Sequence, residues 1–416
     1  MIICIKLVII LLIIYSLFFL VRAIICINKV KKEKSKRENK DSVKCNKNII
    51  IAIPCLREQK CIEDTIKYFT EIAKDIPIII VTTQKEVKEN IKNDILTQYI
   101  IKNKILPKYK NVYLIDYPFT EGYMADQLNY MIEEIKNKID LEHTYLALYN
   151  ADSRPSERTF NEIKEKISEG HKVIQQYSYC LKNYKELNNI LKGFSIYQSN
   201  FEMKTGLINS ILNSKLLYTH VVGHGLIINM KTLNELGNFN TKFWCEDIYL
   251  GLQLKFNNIK ITPLLTLENM ETPSSLENLI KQNSVWFKTT SQFSKIYKDI
   301  IKNYKVTNKL NGLIGCFNEF RCALNWIGFP IILLLSIIGA LILKNYLIVL
   351  LIIASYLLYI CINTKMTIKL INILDEQDYK TSLKIIFFTA IATIISNIGP
   401  IYSIISNKKV KHKTER

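Results

Sequence analysis

Tyr149-Asn150-Ala151-Asp152-Ser153-Arg154-Pro155 is the stretch whose reading decides the fold of this chain. It follows an apolar run, Thr144-Tyr-Leu-Ala-Leu-Tyr149, that reads as a buried strand, so Asn150 and Asp152 fall where the strand opens into a loop. Residues two apart on an extended chain point the same way, so both can face one point at the carboxyl edge of a sheet. Open α/β sheets bind ligands at that edge. An oxygen pair there suits a hard divalent cation holding a diphosphate, because such ions take one or two carboxylates from the protein and complete their shell with phosphate and water. An Asx turn in which Asp152 caps the next helix satisfies the same pattern.

Working outward, Ile49-Ile-Ile-Ala-Ile53 reads as a strand ending in the loop Pro54-Cys-Leu-Arg-Glu58, and Ile62 to Ile72 has helical spacing. Ile76 to Val81 is a second buried strand ending in Thr82-Thr83. Val112 to Ile115 is a third, ending in Asp116-Tyr-Pro118 and followed by a helix with Leu128, Met131 and Ile135 on one face. This alternation predicts a parallel sheet with its loops gathered at one edge. Beyond the Asn150 loop, Lys172 to Tyr177 and Val222-Gly-His-Gly-Leu-Ile-Ile228 read as further strands. Gly223 and Gly225 flank His224, which fits either a close approach of backbone to a ligand or a bulge around a packed histidine. Glu246 and Asp247 open an apolar helix, where two acids can do chemistry or simply complement the helix dipole. Ser274 to Ile300 reads as largely helical.

The apolar residues, 49% of the chain, are segregated into blocks beside 22% charged residues. Leu7 to Ile27 is long enough to cross a bilayer if Arg22 snorkels, and without a small-residue cleavage site it reads as a retained anchor. Residues 28–48 carry nine Lys or Arg against three acids, which by the positive-inside rule puts them in the cytoplasm and the N-terminus outside. Ile327 to Leu343 and Tyr346 to Ile362 read as spans joined by a tight Lys344-Asn345 turn on the outside. Asn311 to Trp326 reads as an amphipathic interfacial helix ahead of them. Ile385 to Ser406 is interrupted by Asn397-Ile-Gly-Pro400 and is expected to be broken or re-entrant, which keeps the basic tail Lys408 to Arg416 in the cytoplasm. The net charge of +19 lies largely beside these spans, so it points to a membrane surface and not to nucleic acid. Ten cysteines without a C-x-x-C pair fit a reduced compartment.

In this order the pieces resemble the membrane-integrated family 2 glycosyltransferases of the GT-A fold, polysaccharide synthase-type enzymes, over about residues 48 to 300. The matching pieces are Ile53-Pro54-Cys-Leu-Arg-Glu58, Ala125-Asp-Gln-Leu-Asn129, Asn150-Ala-Asp152, Gly223-His-Gly225, Glu246-Asp247, and Gln282 with Trp286 of a Q-x-x-R-W motif. The tail His412-Lys-Thr-Glu-Arg416 is similar to the ends of such proteins. The resemblance implies a Rossmann-like α/β domain over 48–305, between a 1–28 anchor with its 29–47 basic linker and, on the other side, the 306–326 interfacial helix, the 327–407 membrane region and the 408–416 tail. It implies an inverting transfer from a nucleotide-sugar donor to a glycan or lipid-linked acceptor at the cytoplasmic face of the cell membrane. Donor contacts are expected from Pro54, Arg57, Glu58, Thr83, Asn129, Asn150 and Arg154, and a divalent metal, Mg2+ or Mn2+, on Asp152. The acceptor is expected at His224, Gln282 and Trp286, with Asp247 as base beside Glu246. A tryptophan above a membrane also serves as an interface anchor.

Four departures stand out. The first acid of the metal motif is Asn150, the phosphate-contacting lysine falls at Met124, the acid that often reads uracil falls at Thr82 or Thr83, and the arginine of Q-x-x-R-W is Val285. They leave open a catalytically silent sugar-nucleotide binder or assembly partner, whereas few intramembrane charges speak against an independent transporter.

Overall fold

The computed structural model describes residues 2–37, 45–89, 96–214 and 221–406. The tail from Lys408 to Arg416 and residues 38–44 of the basic linker lie outside the described residues.

Among the described residues, nine strands form two sheets. β1 (Asn48–Pro54), β2 (Ile78–Thr83), β3 (Val112–Tyr117) and β4 (Thr144–Leu148) are followed by β5 (Val173–Gln175), β6 (Ser178–Tyr179), β7 (Leu226–Asn229), β8 (Ile261–Pro263) and β9 (Glu268–Asn269). Seven of them build the main sheet in the order β3-β2-β1-β4-β7-β5-β8, while β6 and β9 make a short parallel ribbon. The isoleucine run of β1 shows why the sheet is covered on both faces. Ile49, Ile51 and Ile53 pack with Ile62, Ile66 and Phe69 of the helix Ile62–Ile72, while Ile50 and Ala52 pack with Leu128, Met131 and Ile132 of the helix Met124–Ile135. Each fully buried isoleucine contributes about 1.5–3 kcal/mol.

β1 to β4 run parallel, so the loops after Pro54, Thr83, Tyr117 and Leu148 share one edge. β7 pairs antiparallel with β4 and β5, which corrects the expectation of an all-parallel sheet. Between β6 and β7 the chain makes a long helical excursion, Asn189 to Ile211, and re-enters the sheet from the carboxyl edge instead of crossing back to the amino edge. The strand expected over 222–228 is therefore shorter, Leu226–Asn229. Gly223, His224 and Gly225 become part of its entry loop, on the same edge as Asn150 and Asp152.

Among the described residues, four helical segments are long and apolar enough to cross a membrane, one N-terminal and three C-terminal: Ile2–Lys36, Lys309–Ile342, Tyr346–Asp375 and Leu383–Ile405. The first runs alongside the third in the same direction, for Tyr15 stacks on Tyr359 at 5.8 Å and Lys34 Nζ donates to the Ile373 carbonyl at 2.8 Å. The amphipathic stretch and the span after it are one continuous helix, Lys309–Ile342, with Pro330 inside and no break at residue 326. The last segment is broken, as its Asn397-Ile-Gly-Pro400 interruption foretold, into Leu383–Ile395 and Ile398–Ile405. Its first piece packs on the helix Asn189–Phe201 and its second on the helix Leu276–Thr290.

Candidate functional site

The Asn150 loop is held from below and from the side. Asn150 N–H donates to Ser153 Oγ at 3.1 Å, and Ser153 N–H returns a bond to the Asn150 carbonyl at 3.1 Å, closing a tight turn. Thr65 bonds the Ala151 carbonyl, and Tyr68 donates to the Pro155 carbonyl at 2.7 Å. Asp152 stays partly exposed at the tip. Arg154 stacks over the Tyr68 ring at 5.5 Å and donates to the Ser153 carbonyl at 2.7 Å.

The centre of the site is a residue that the sequence reading passed over. Glu268, 1% exposed on the short strand β9, accepts from Arg154 N–H at 3.0 Å through one oxygen and faces His224 Nδ1 at 3.3 Å through the other. Burial alone would favour neutral forms of both groups. The hydrogen bond and the opposite charge overcome it, holding His224 above its ordinary range and, with help from the Ser153 hydroxyl and Arg154 N–H, Glu268 below its own. Gln175 fixes the loop carrying His224, donating to the His224 carbonyl at 2.8 Å and accepting from Val222 N–H at 2.9 Å. Gly225 has φ +61°, and a Cβ there would meet the Gln176 carbonyl at 2.8 Å, so this position requires glycine.

Gly223 serves a different purpose. Its N–H donates to Asp247 Oδ2 at 3.0 Å, and a Cβ in its place would meet Asp247 Oδ2, Glu246 Oε1 and the Met124 methyl at 3.4, 3.5 and 3.7 Å. The acid pair and Met124 thus surround this loop at ordinary contact distances. Asp247 Oδ1 also accepts from Ile248 N–H at 2.8 Å in the first turn of the helix Glu246–Phe256. Hydrogen bonds thus connect the Asp152 loop through Glu268, His224 and Gly223 to Asp247.

The helix Leu276–Thr290 closes one side. Thr289 accepts from Cys245 N–H at 3.0 Å, beside the acid pair. Gln282 instead accepts from Gln198 at 3.0 Å, away from the Glu246–Asp247 loop, and Trp286 is 40% exposed. Lys288, one turn beyond Val285, lies over the Trp244 ring at 4.2 Å, and Trp244 in turn approaches Tyr123 at 6.3 Å.

On the other half of the edge, several expected donor contacts are engaged in building the loops. Pro54 ends β1 opposite Val81. Arg57 has φ +57°; its N–H donates to Glu86 at 2.5 Å and its guanidinium pairs with Glu89 at 3.7 Å. Glu58 accepts from Cys61 Sγ at 3.3 Å, while its N–H donates to Thr97 at 3.0 Å. Glu86, 3% exposed, also accepts from Gln59 and Thr97 N–H at 3.1 and 2.9 Å. Thr83 donates to the Phe119 carbonyl at 3.3 Å. Asn129 spends both ends of its amide on the Phe239 backbone, at 2.7 and 3.0 Å. The acid absent from the end of β2 has a neighbour in β3, where Asp116 accepts from Thr82 Oγ1 at 2.7 Å and from Gln84.

No family model matches the chain, and no curated protein matches it by sequence. Among solved structures it is similar to a mannosyltransferase from Pyrobaculum calidifontis in complex with GDP-mannose and Mn2+, at 12% identity and a TM-score of 0.53, over 97% of this chain and 100% of that one. The chain has the GT-A fold. The GT-A likeness takes in the membrane helices as well as the α/β domain. Weaker overlap, at a TM-score of 0.37 and 13% identity, covers 60% of this chain and 79% of glucosyl-3-phosphoglycerate synthase from Mycobacterium tuberculosis in complex with Mn2+ and UDP-glucose.

As for a metal, no group of three or more His, Cys, Asp or Glu able to hold one occurs among the described residues. Asp152, partly exposed in its turn, is the acid of the Asn150 loop that a cation at this edge would meet. That donor set fits a cation of the Mg2+ type, which keeps water and phosphate oxygens as most of its ligands.

Proposed function

We propose that the chain is a membrane-integrated glycosyltransferase of the family 2 kind, transferring a sugar from a nucleotide-diphosphate donor to a glycan or lipid-linked acceptor with inversion. The observation that carries this reading is the path from the Asp152 loop through the Glu268–His224 pair and the adjoining Gly223 N–H to Asp247. It ties the place for a donor diphosphate to the place for a base, and both lie on the ligand-binding edge of a GT-A sheet.

In the reaction, the bond between the anomeric carbon and the donor phosphate oxygen breaks while the acceptor oxygen attacks the opposite face. The acceptor proton passes to the Asp247 carboxylate, whose orientation is fixed by the N–H groups of Gly223 and Ile248. General-base help of this kind is worth about 10²–10⁴-fold. A divalent ion bound on Asp152 would neutralise charge on the departing diphosphate. Glu246, buried beside Gly223, shapes the same pocket from the other side. Arg154 and Lys288 are the cations proposed to stand in for those absent at Met124 and Val285, and Asp116 the acid that reads the nucleobase in place of one at Thr82 or Thr83.

A silent sugar-nucleotide binder is the second reading, favoured by Met124 and Val285 standing where cations are expected. Incubating purified protein with a panel of nucleotide sugars and Mg2+ or Mn2+ separates the two. An enzyme releases nucleotide diphosphate slowly even without acceptor; a binder is stabilised against heat by one donor yet releases none.

The proposed site works at the cytoplasmic face of the cell membrane, since the linker between the first helix and β1 is strongly basic. Cysteine labelling from outside intact cells should reach a cysteine introduced at Asn345 and miss one at Lys36. The opposite pattern overturns this orientation.

A further inference from the structure

Glu268 stands on the smallest piece of the α/β domain. β6 and β9 pair over two residues each, Ser178 with Glu268 and Tyr179 with Asn269, outside the main sheet. Two strands of that length do not hold their place by their own ladder bonds. What fixes Glu268 against His224 therefore comes in large part from what packs on the ribbon.

Before Glu268 in the chain, buried Glu162 accepts from Leu265 N–H at 2.7 Å and from Thr266 N–H at 2.9 Å. The strands themselves are gripped by the end of the third membrane helix. The hydroxyl of Tyr179, a fully buried residue, donates to the carboxylate of Asp375, the last residue of that helix. Beyond it the chain turns at Glu376, with φ +54°, and folds back so that Tyr379 and Asn372 exchange two bonds, both at 3.0 Å. This brings the Tyr379 ring edge-on to Tyr179 at 6.0 Å, and the Tyr379 hydroxyl accepts from Asn269 Nδ2 at 3.4 Å. Residues 375–379 thus hold Asn269, next to Glu268, and Tyr179, which lies opposite Asn269.

The same turn reaches the other side of Glu268. Glycine would adopt the left-handed conformation at position 376 at less cost. The glutamate there accepts from Lys34 of the first membrane helix at 3.0 Å and from Arg158 at 2.9 Å, four residues beyond Arg154, whose N–H bonds Glu268. Glu376 and Arg158 are each 60% exposed, so their pair contributes little. The buried Tyr179–Asp375 bond carries the larger share.

We propose that Asp375 is a positioning residue for sugar transfer, through which the third membrane helix sets the place of Glu268 and so of the loops bearing Asp152 and Asp247. Without the Asp375 carboxylate the Tyr179 hydroxyl is left buried and unpaired, and the ribbon loses its tie to the membrane helix. The link to turnover rests on the glycosyltransferase reading; the link to Glu268 does not.

The test uses the full chain in detergent, as wild type, Asp375→Ala, Asp375→Asn, Glu268→Gln and the double variant of Asp375→Ala with Glu268→Gln. Release of nucleotide from donor is measured per folded molecule, and melting temperature on the same samples. Asp375→Ala should lower release roughly 10²-fold, the cost of a small misplacement at a reaction centre. Asp375→Asn keeps an acceptor oxygen for the Tyr179 hydroxyl and should restore most of it. Because Asp375 acts through Glu268, the fall in melting temperature of the double variant should be smaller than the sum of the two single falls. If Asp375→Ala does not fold, Tyr179→Phe, which removes only the hydroxyl, replaces it in the release measurement and in the double variant. Wild-type release by the folded variant, no rescue by Asp375→Asn, or additive falls in melting temperature overturns the proposal. If the wild type itself releases nucleotide from no donor, the glycosyltransferase reading fails, and the melting temperatures alone decide whether Asp375 positions Glu268.

Discussion

The two halves of the sheet's carboxyl edge are built on different principles. On the β1–β2–β3 side, neutral donors hold the polar groups: Glu86 gathers N–H groups of Arg57, Gln59 and Thr97, and Asn129 is bound to Phe239. On the β4–β7 side, a buried ion pair, Glu268 with His224, joins two loops and positions a partly exposed carboxylate at each end. The first half therefore owes its shape to several separate hydrogen bonds, each replaceable. The second depends on one long-range pair whose loss disturbs both proposed reaction groups together.

The comparison breaks most sharply at Glu268. Glu268→Ala leaves His224 and Arg154 N–H buried without their partner and should cost about 3–5 kcal/mol in stability, measured by thermal unfolding in detergent. A loss no larger than that of a surface carboxylate would show that the pair does not organise this half.

The same pair has a pH signature. His224 is held above its ordinary pKa, so its contribution is complete below about 6.5 and is lost as pH rises through the raised folded value. Glu268 is held below its ordinary value, so its contribution is complete above about 4.5 and is lost as pH falls through the lowered one. Stability should therefore fall on the alkaline side of 6.5 in the wild type, and this fall should be absent in Glu268→Gln.

On the other half the effects are smaller and separate. Asn129→Ala strands the Phe239 backbone groups and should cost about 1–3 kcal/mol while donor affinity, measured on the folded fraction, stays unchanged. Weaker donor binding in that variant would return Asn129 to the donor site. Smallest of all is Arg57→Ala, which removes a solvent-exposed pair with Glu89 and should shift stability by less than about 1 kcal/mol. A larger drop in donor affinity than in stability would mean that Arg57 leaves Glu89 to reach the phosphates.

These contrasts follow what could be read in the sequence. β1, β2 and β4 were legible because a strand covered on both faces is a nearly continuous apolar run, and a short run between loops leaves few other readings. The edge position of Asn150 and Asp152 was legible because loops after parallel strands share an edge, whereas Asp247, which comes after the antiparallel β7, was singled out by the resemblance. The direction of β7 was not, since its four residues carry no sign of which edge the chain enters from. Glu268 was hidden for a physical reason: a lone acid in Leu267-Glu268-Asn269 looks like surface until its partners, His224 and Arg154, arrive from far along the chain. Asp116 stood in plain view at the end of β3, but its pairing with Thr82 depends on strand register.

The most direct test of the account is turnover and donor affinity measured on one preparation of Asp247→Asn. This substitution keeps the shape and one acceptor oxygen for the Gly223 or Ile248 N–H but abolishes basicity. If Asp247 takes the acceptor proton, kcat falls by roughly 10²-fold or more while donor affinity and melting temperature change little. Near-normal turnover, with only the loss of about 0.3–1 kcal/mol expected for a residue that complements a helix dipole, would contradict the account and remove Asp247 from the reaction.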